Sequence, residues 1–134
     1  MMADRVEFEL VSPEKLVFSQ DVDMVVIPGA EGDFGVLPRH SPLISAIRPG
    51  VIKVYEQGQV TETIFVSGGV AEVTPARCTV LAEEAMPVGD IDPSEVTQVL
   101  KDLQDDLLDA GEEADKGPIQ KKIAAAEAKL QASS

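Results

Sequence analysis

The sequence has few of the residues that most often perform chemistry or hold metals. Its 134 residues include one cysteine, one histidine, one tyrosine, four phenylalanines and no tryptophan. A lone cysteine excludes a disulfide framework within one chain and a cysteine-rich metal cluster, and it fits a reducing compartment. Cys78 and His40 together supply fewer soft ligands than the three or four that a zinc site needs. The sequence therefore predicts a fold that needs neither metal nor disulfide.

Long apolar runs and positive charge are also scarce. No run of about 18 apolar residues is present, so no segment is predicted to span a bilayer. The charged opening at residues 1–7 lacks the apolar region of a signal peptide. Eleven basic residues stand against 24 acidic ones, and the resulting net charge of −13 disfavours binding to nucleic acid or to anionic membranes. The sequence predicts a soluble chain that meets a membrane only through another protein.

The first two thirds of the chain have the hydrophobic period of β-strands. Apolar and polar residues alternate from Val6 to about Glu84, and β-branched and aromatic residues fill 60–66. Turn-forming pairs and triplets separate these runs at short intervals: Ser12-Pro13, Pro28-Gly29, Arg48-Pro49-Gly50, Gln57-Gly58, Ser67-Gly68-Gly69 and Thr74-Pro75. Short strands with no helical pattern between them predict an antiparallel sandwich or a flattened barrel at residues 1–87.

The last third of the chain has a helical period. Asp92 can cap a helix that starts at Pro93, with Glu95 at its third position. An apolar stripe follows at spacings of three and four: Val96, Val99, Leu100, Leu103, Leu107 and Leu108. Gly111 is a plausible stop, and a second helix starts at Gly117–Pro118. The pattern predicts a two-helix hairpin at residues 88–134.

The two predicted helices carry opposite charge. Residues 92–115 contain nine acidic residues and one base, Lys101, whereas residues 116–134 contain four lysines and one acid, Glu127. An acidic helix beside a basic one favours a folded hairpin, although exposed ion pairs contribute only about 0–1 kcal/mol each.

No catalytic residues are predicted. His40 lies in a proline-bracketed loop, where a loop contact explains it better than a role as general base. Ser67 lacks the Gly-x-Ser-x-Gly context of a nucleophile elbow. Gly29, Gly32 and Gly35 are not followed by the Gly-Lys-Ser/Thr of a phosphate-binding loop, so they indicate tight turns.

Several segments of the chain match a known family, in order and with its spacing. These segments are Val11–Glu14 with Val17–Ser19, Pro28–Leu43, Arg48–Gly50, Phe65–Val73 and Thr79–Ala85. Together they span nearly the whole predicted sandwich. The set resembles the epsilon subunit family of bacterial F-type ATP synthases, which is equivalent to the mitochondrial delta subunit.

The resemblance implies an antiparallel ten-stranded β-sandwich followed by a two-helix hairpin. It implies a non-catalytic rotor subunit without a cofactor, peripheral on the cytoplasmic face of the bacterial inner membrane, that joins the gamma subunit to the c-ring. By position in the motifs, the expected c-ring contacts are Glu31, Gly32, Asp33 and Phe34. The expected gamma contacts are Ser12, His40 and Ser45.

The chain departs from the family where some members bind ATP, through an Ile/Leu-Asp-x-x-Arg-Ala motif. Here Ile91 and Asp92 are present, but Glu95 replaces the arginine and would repel phosphates. We therefore expect weak or absent ATP binding.

A second departure concerns inhibition. In other members the hairpin opens towards the alpha and beta subunits, helped by basic residues. The first helix here is acidic, so we expect a mainly folded hairpin and weak inhibition. Two alternatives stay open: an ATP-sensing, inhibitory subunit on the same scaffold, and an unrelated sandwich that binds a small ligand or acts as a small hydrolase.

Overall fold

A computed structural model describes residues 5–134 of the chain, so residues 1–4 of the predicted sandwich and of the charged opening lie outside the described residues. Within residues 5–134 the chain forms ten strands and two α-helices, as the resemblance implied. The strands are β1 (Val6–Val11), β2 (Leu16–Val22), β3 (Met24–Gly29), β4 (Gly32–Val36), β5 (Leu43–Ile47), β6 (Gly50–Glu56), β7 (Gln59–Val66), β8 (Gly69–Val73), β9 (Arg77–Ala82) and β10 (Ala85–Pro87). A short 3₁₀ helix at Val88–Asp90 leads to α1 (Pro93–Asp109) and α2 (Gly117–Ser133).

The strands form two layers of a sandwich. The first sheet has the order β10-β7-β6-β3-β4 and the second the order β5-β8-β9-β1-β2. A single register pair, Gly29 with Ile47, joins β3 to β5, so the sheet can fold over at this point. Among the strands of residues 5–134, β1 and β9 run parallel and the other pairs are antiparallel. The sandwich prediction is confirmed, with this one parallel ladder added.

Alternating side chains from both sheets fill the space between the layers. On β1, Val6, Phe8 and Leu10 are fully buried, whereas Glu7 and Glu9 reach solvent. The same alternation on the other strands buries a core that includes Ile27, Ile52 and Val80 among its members. Full burial of an aliphatic or phenylalanine side chain contributes about 1.5–3 kcal/mol, so this core is the main source of stability.

The two helices begin and end close to their predicted signals. The Asp92 carboxylate accepts hydrogen bonds from the amides of Ser94 and Glu95, which have no partner inside the helix. Pro93 occupies the first helical turn, and α1 ends at Asp109, two residues before Gly111. The helices pack against each other and form the predicted hairpin.

The hairpin lies on the outer face of the first sheet. Strand β7 is buried on both faces at its end, because Ile64 and Val66 point into the sandwich core while Phe65 points outward beneath the helices. Phe65 packs with Val96 of α1 and Ala126 of α2 in a second, smaller apolar cluster. This contact covers one side of the sandwich and leaves the other side free of helices.

The lysines of α2 do not pair with the acidic helix beside them. Lys121 and Lys129 pair instead with Glu83 and Glu84, which lie in the turn between β9 and β10. Within residues 5–134, no ion pair joins α1 to α2. The opposite charges of the two helices therefore interact only over longer distances. The direct ion pairs of α2 are with the sandwich.

No helix within residues 5–134 is both long and apolar enough to cross a bilayer.

Candidate interaction surfaces

A row of apolar side chains crosses the outer face of the second sheet, on the side opposite the hairpin. Residues that stand directly opposite each other in a ladder share a face of the sheet. The register places five such neighbours in one line across β5, β8, β9, β1 and β2: Ala46, Val70, Leu81, Val11 and Leu16. We call these five residues the apolar row.

The apolar row is open to solvent for most of its length. Val70, Leu81 and Leu16 expose about half of their surface (43%, 57% and 56%). Ile44 lies on the same face, two residues before Ala46, and is 74% exposed. With strands about 4.8 Å apart, the row extends roughly 19 Å. A contiguous exposed apolar strip is a candidate for an interaction surface.

The three residues expected on the gamma side do not form one cluster. Ser12 lies in the turn after β1, where its hydroxyl donates to the Lys15 carbonyl over 3.3 Å. Ser45 lies within β5 and pairs with buried Ala71, so its side chain is on the face of the sheet opposite the apolar row, and its hydroxyl donates to the backbone of Ala46. His40 lies in the loop after β4, with Nδ1 2.7 Å from the Ser41 carbonyl oxygen.

These three residues are spread along the length of the second sheet. The loop that contains His40 contacts the β8–β9 turn, where the amide of Arg39 donates to the Pro75 carbonyl. The same turn accepts the amide of Glu7 at the beginning of β1, and Ser12 follows the end of that strand. A six-residue strand is about 20 Å long, so His40 and Ser12 lie near opposite ends of the sheet.

The four residues expected at the c-ring remain together at the tip of the β3–β4 hairpin. Glu31 is exposed in the two-residue turn between the strands, and Gly32 has a φ of 141°, which other residues rarely adopt. Asp33 is exposed and pairs with Arg48. Phe34 is half-buried and packs against the sandwich core. The two exposed carboxylates therefore form the accessible part of the tip.

The tip is braced, and it adjoins the apolar row. Arg48 donates through its side chain to the Gly29 carbonyl as well as to Asp33, and its backbone amide donates to Pro28. The amide of Ala30 donates to the carbonyl of Ala46, the first member of the apolar row, over 2.9 Å. The tip and the row thus form one continuous surface on the side of the sandwich away from the helices.

On the opposite side, a groove of about 710 Å³ separates the hairpin from the sandwich. Its walls are partly apolar, with Val96, Val99 and Leu103 of α1 on one side. Charged residues also line it, five carboxylates and three lysines: Glu83, Glu84, Asp90, Asp92, Glu95, Lys121, Lys122 and Lys129.

The residues of the altered ATP motif lie at this groove or beside it. Ile91 is buried in the apolar cluster beneath the hairpin. Asp92 lines the groove, but its carboxylate caps α1. Glu95 lines the groove with an exposed side chain. Negative charge therefore occupies the position where the motif has arginine.

The described residues include one cysteine, which is buried. Burial raises the pKa of the Cys78 thiol to about 12, which disfavours the reactive thiolate. Within residues 5–134, no group of three or more His, Cys, Asp and Glu side chains is placed to hold a metal ion.

Comparison with known proteins assigns the family. A family model described as the ATP synthase delta/epsilon chain β-sandwich domain matches residues 5–88. The chain is 52% identical over 131 residues to the ATP synthase epsilon chain of Rhodospirillum rubrum, with 98% of each chain covered. It is 49% identical to that of Maricaulis maris, with 95% of each chain covered. The chain belongs to the ATP synthase epsilon chain family.

Solved structures show the same fold in distant complexes. A chain of the Euglena gracilis mitochondrial ATP synthase, in a structure of OSCP, F1 and the c-ring, matches with a TM-score of 0.75 at 21% identity, covering 98% of this chain and 81% of that one. A chain of the Tetrahymena thermophila mitochondrial ATP synthase central stalk and c-ring matches with a TM-score of 0.60 at 12% identity, over the full length of both. Both alignments extend over the hairpin as well as the sandwich.

Membership of the epsilon chain family confirms the resemblance seen in the sequence.

Sequence reasoning missed the apolar row and the two lysine–glutamate pairs. The row joins residues from five strands, and neighbours such as Ala46 and Val70 meet only through the ladder register. The excess of apolar residues on the outer positions of β8 and β9 was the one available signal, since Val70 and Leu81 interrupt the polar side of the alternation.

Proposed function

We propose that this chain is a non-catalytic subunit of the central stalk of a proton-translocating F-type ATP synthase. In this role it joins the gamma subunit to the membrane c-ring within the rotor. The observation that carries the proposal is the continuous surface formed by the apolar row and the braced β3–β4 tip. Family membership and the central-stalk and c-ring titles of the structural neighbours support it.

The apolar row is the proposed contact for gamma. It offers half-exposed aliphatic side chains across the sheet, and Ser45 precedes Ala46 on β5 with its side chain on the opposite face. Ser12 and His40 would contact gamma near the two ends of the same sheet. A stable interface of this type buries more than about 1,000 Å² in total, which requires a surface as extended as this one.

The β3–β4 tip is the proposed contact for the c-ring. Glu31 and Asp33 can accept hydrogen bonds from polar loops, while Gly32 and Phe34 fix the shape of the turn. Arg48 holds the tip against the sandwich, so that a lateral force on it is passed to the core. The brace therefore limits bending of the tip relative to the sandwich.

We further propose that the sandwich and the hairpin, which meet at Pro87, have different roles. Residues 1–87 bind gamma and the c-ring, while the hairpin at 88–134 regulates hydrolysis at most weakly. The hairpin would have to leave the sandwich to reach the alpha and beta subunits, and the acidic α1 gives no charge attraction to an acidic surface there. The chain would be peripheral on the cytoplasmic face of the bacterial inner membrane, held there by the c-ring.

The test is reconstitution of an epsilon-depleted enzyme with the full chain and with a 1–87 fragment. We expect both to bind gamma and restore ATP-driven proton pumping, with hydrolysis rates that agree within about twofold. If neither form bound gamma, the coupling role would be wrong. If the full chain inhibited hydrolysis several-fold more than the 1–87 fragment, the hairpin would be a strong brake and the regulatory alternative would hold.

The alternative role as an ATP sensor is favoured by one observation, the 710 Å³ groove beside Asp92. Its charge opposes that role, because Glu95 and four other carboxylates outnumber the three lysines that line it. We therefore expect no protection of the hairpin from hydrogen exchange at about 5 mM ATP, where a Kd of about 1 mM would give more than half occupancy. Protection of α1 and α2 by ATP at that concentration would overturn this expectation.

A further inference from the structure

The contact between the hairpin and the sandwich is small and incompletely packed. Four buried residues form its centre within residues 5–134, Phe65, Ile91, Val96 and Ala126, compared with seventeen in the sandwich core. The groove leaves parts of α1 and α2 without apolar partners on the sandwich. Apolar burial alone therefore gives the hairpin a modest hold on the sheet, since burial energy scales with the area removed from water.

Two ion pairs flank this apolar contact. Lys121 Nζ lies 3.2 Å from Glu83 Oε1, and Lys129 Nζ lies 3.1 Å from Glu84 Oε1. The two lysines are eight residues apart, about 12 Å along the helix. Ala126 lies between them and is buried. The pairs thus hold α2 at two points on either side of its buried residue.

The carboxylates of these pairs are mounted on a fixed turn. The amide of Glu83 donates to the Gly68 carbonyl, and the carbonyl of Glu84 accepts the amide of Ser67, each over 3.0 Å. These bonds fasten the β9–β10 turn to the β7–β8 turn. The ion pairs therefore join the hairpin to a turn that backbone hydrogen bonds hold in the sandwich.

The two pairs differ in strength. The Lys129 side chain is 20% exposed, against 70% for Lys121, so water screens the Lys129 pair less. The Lys129 ammonium also lies 6.0 Å from the centroid of the Phe65 ring, within range of a cation–π interaction. Phe65 is fully buried, so opening of the hairpin would remove both partners of Lys129 and expose the ring.

We propose that the Lys121–Glu83 and Lys129–Glu84 pairs form an electrostatic latch that sets how often the hairpin leaves the sandwich. The latch makes hairpin opening sensitive to ionic strength and to any partner that supplies competing charge to the β9–β10 turn. The inference goes beyond the coupling role, because it concerns an equilibrium of the isolated chain and its test needs no other subunit.

The test measures opening by thiol labelling of an Ala126→Cys variant. Ala126 lies on the face of α2 that is buried against the sandwich, and this face becomes accessible when the hairpin opens. The native Cys78 is a silent background, because it is buried in the sandwich core and its pKa is raised to about 12. When reclosing is faster than labelling, the labelling rate is proportional to the open population.

Charge reversal at both lysines should open the latch. In the Ala126→Cys background, K121E/K129E should raise the labelling rate at low salt on the order of tenfold, with K129E alone having more effect than K121E alone. The matched control is K101E/K116E, which changes the net charge equally at two lysines that lie outside the groove and form no ion pair within residues 5–134. Its rate should stay within about twofold of the parent.

Salt should change the labelling rates of the parent and of K121E/K129E in opposite directions. Raising NaCl from about 0.01 M to about 1 M shortens the screening length from about 30 Å to about 3 Å. The parent should then label several-fold faster, because attraction is screened, whereas K121E/K129E should label more slowly, because repulsion is screened. The same salt response in both forms would overturn the latch.

A charge swap separates the latch from general effects on the helix. The variant E83K/E84K/K121E/K129E keeps the net charge of the parent and rebuilds both pairs with reversed polarity. We expect it to return the labelling rate to within about threefold of the parent, with unchanged helical circular dichroism. Equal rates for K121E/K129E and K101E/K116E, or no rescue by the swap, would contradict the proposal.

Discussion

Gly69 is the residue at which the sandwich has the least room for any other side chain. Its φ is 143°, and an added Cβ would lie 2.1 Å from the Leu81 carbonyl oxygen and 2.9 Å from the Ala82 Cα. Both neighbours are backbone atoms of β9, so neither can rotate away. We expect Gly69→Ala to lower the free energy of unfolding by about 3 kcal/mol or more, measured by urea denaturation.

The matched control for this substitution is Gly58→Ala. Gly58 has a φ of 78°, but nothing lies within 4 Å of an added Cβ. Gly58→Ala should therefore cost only the backbone strain of a positive φ, about 1–2 kcal/mol, without a steric clash. If the two variants lost the same stability, the close approach of β8 to β9 at Gly69 would not be a real constraint on the fold.

The sequence predicted the turns at these glycines but not their packing. The Ser67-Gly68-Gly69 and Gln57-Gly58 turns were both predicted from their composition, and both turns are present. The collision at Gly69 could not be predicted, because it depends on a ladder with β9. Similarly, the run Ile64-Phe65-Val66 indicated a strand but not that Phe65 points away from the sandwich core.

At the scale of the elements, the start of α1 depends on one capping side chain. The Asp92 carboxylate oxygen accepts the Ser94 amide at 3.0 Å and the Glu95 amide at 3.4 Å. We expect Asp92→Ala to cost about 1 kcal/mol of hairpin stability and to speed hydrogen exchange at the first turn of α1.

The control for the cap is Asp92→Asn. Asparagine accepts the same hydrogen bonds and is an equally good capping residue, so it should keep stability within about 0.5 kcal/mol of the parent. Asparagine also removes one negative charge from the groove. A loss in Asp92→Asn as large as that in Asp92→Ala would assign the effect to charge and contradict the capping role.

The helices were the elements that the sequence predicted most closely, because capping and termination are local signals. Asp92 and Pro93 are adjacent, and Gly111 follows α1 within two residues. The ion-pair partners of the α2 lysines, in contrast, are distant in the sequence. Lys121 and Lys129 pair with Glu83 and Glu84, which lie 38 and 45 residues away, so the charge contrast with α1 was a poor guide to contact. The parallel ladder of β1 with β9 was out of reach for the same reason.

At the scale of the whole molecule, the sandwich has two different surfaces on its opposite sides. The apolar row and the β3–β4 tip form a surface on one side, and the hairpin covers Phe65 on the other. A partner on the row would therefore not need to displace the hairpin. Under the proposed function, this arrangement would let the chain hold two rotor parts together without moving its helices.

The most direct test of this account is the affinity of the chain for gamma when the apolar row carries a charge. Leu81→Lys places an ammonium in the middle of the row, and Leu108→Lys is the control, since Leu108 is 83% exposed on α1. Thermal melts should show that both variants fold. We expect Leu81→Lys to weaken gamma binding about tenfold or more, and Leu108→Lys to leave it within about twofold. Equal binding by Leu81→Lys and the parent, or a loss caused by Leu108→Lys instead, would contradict the account.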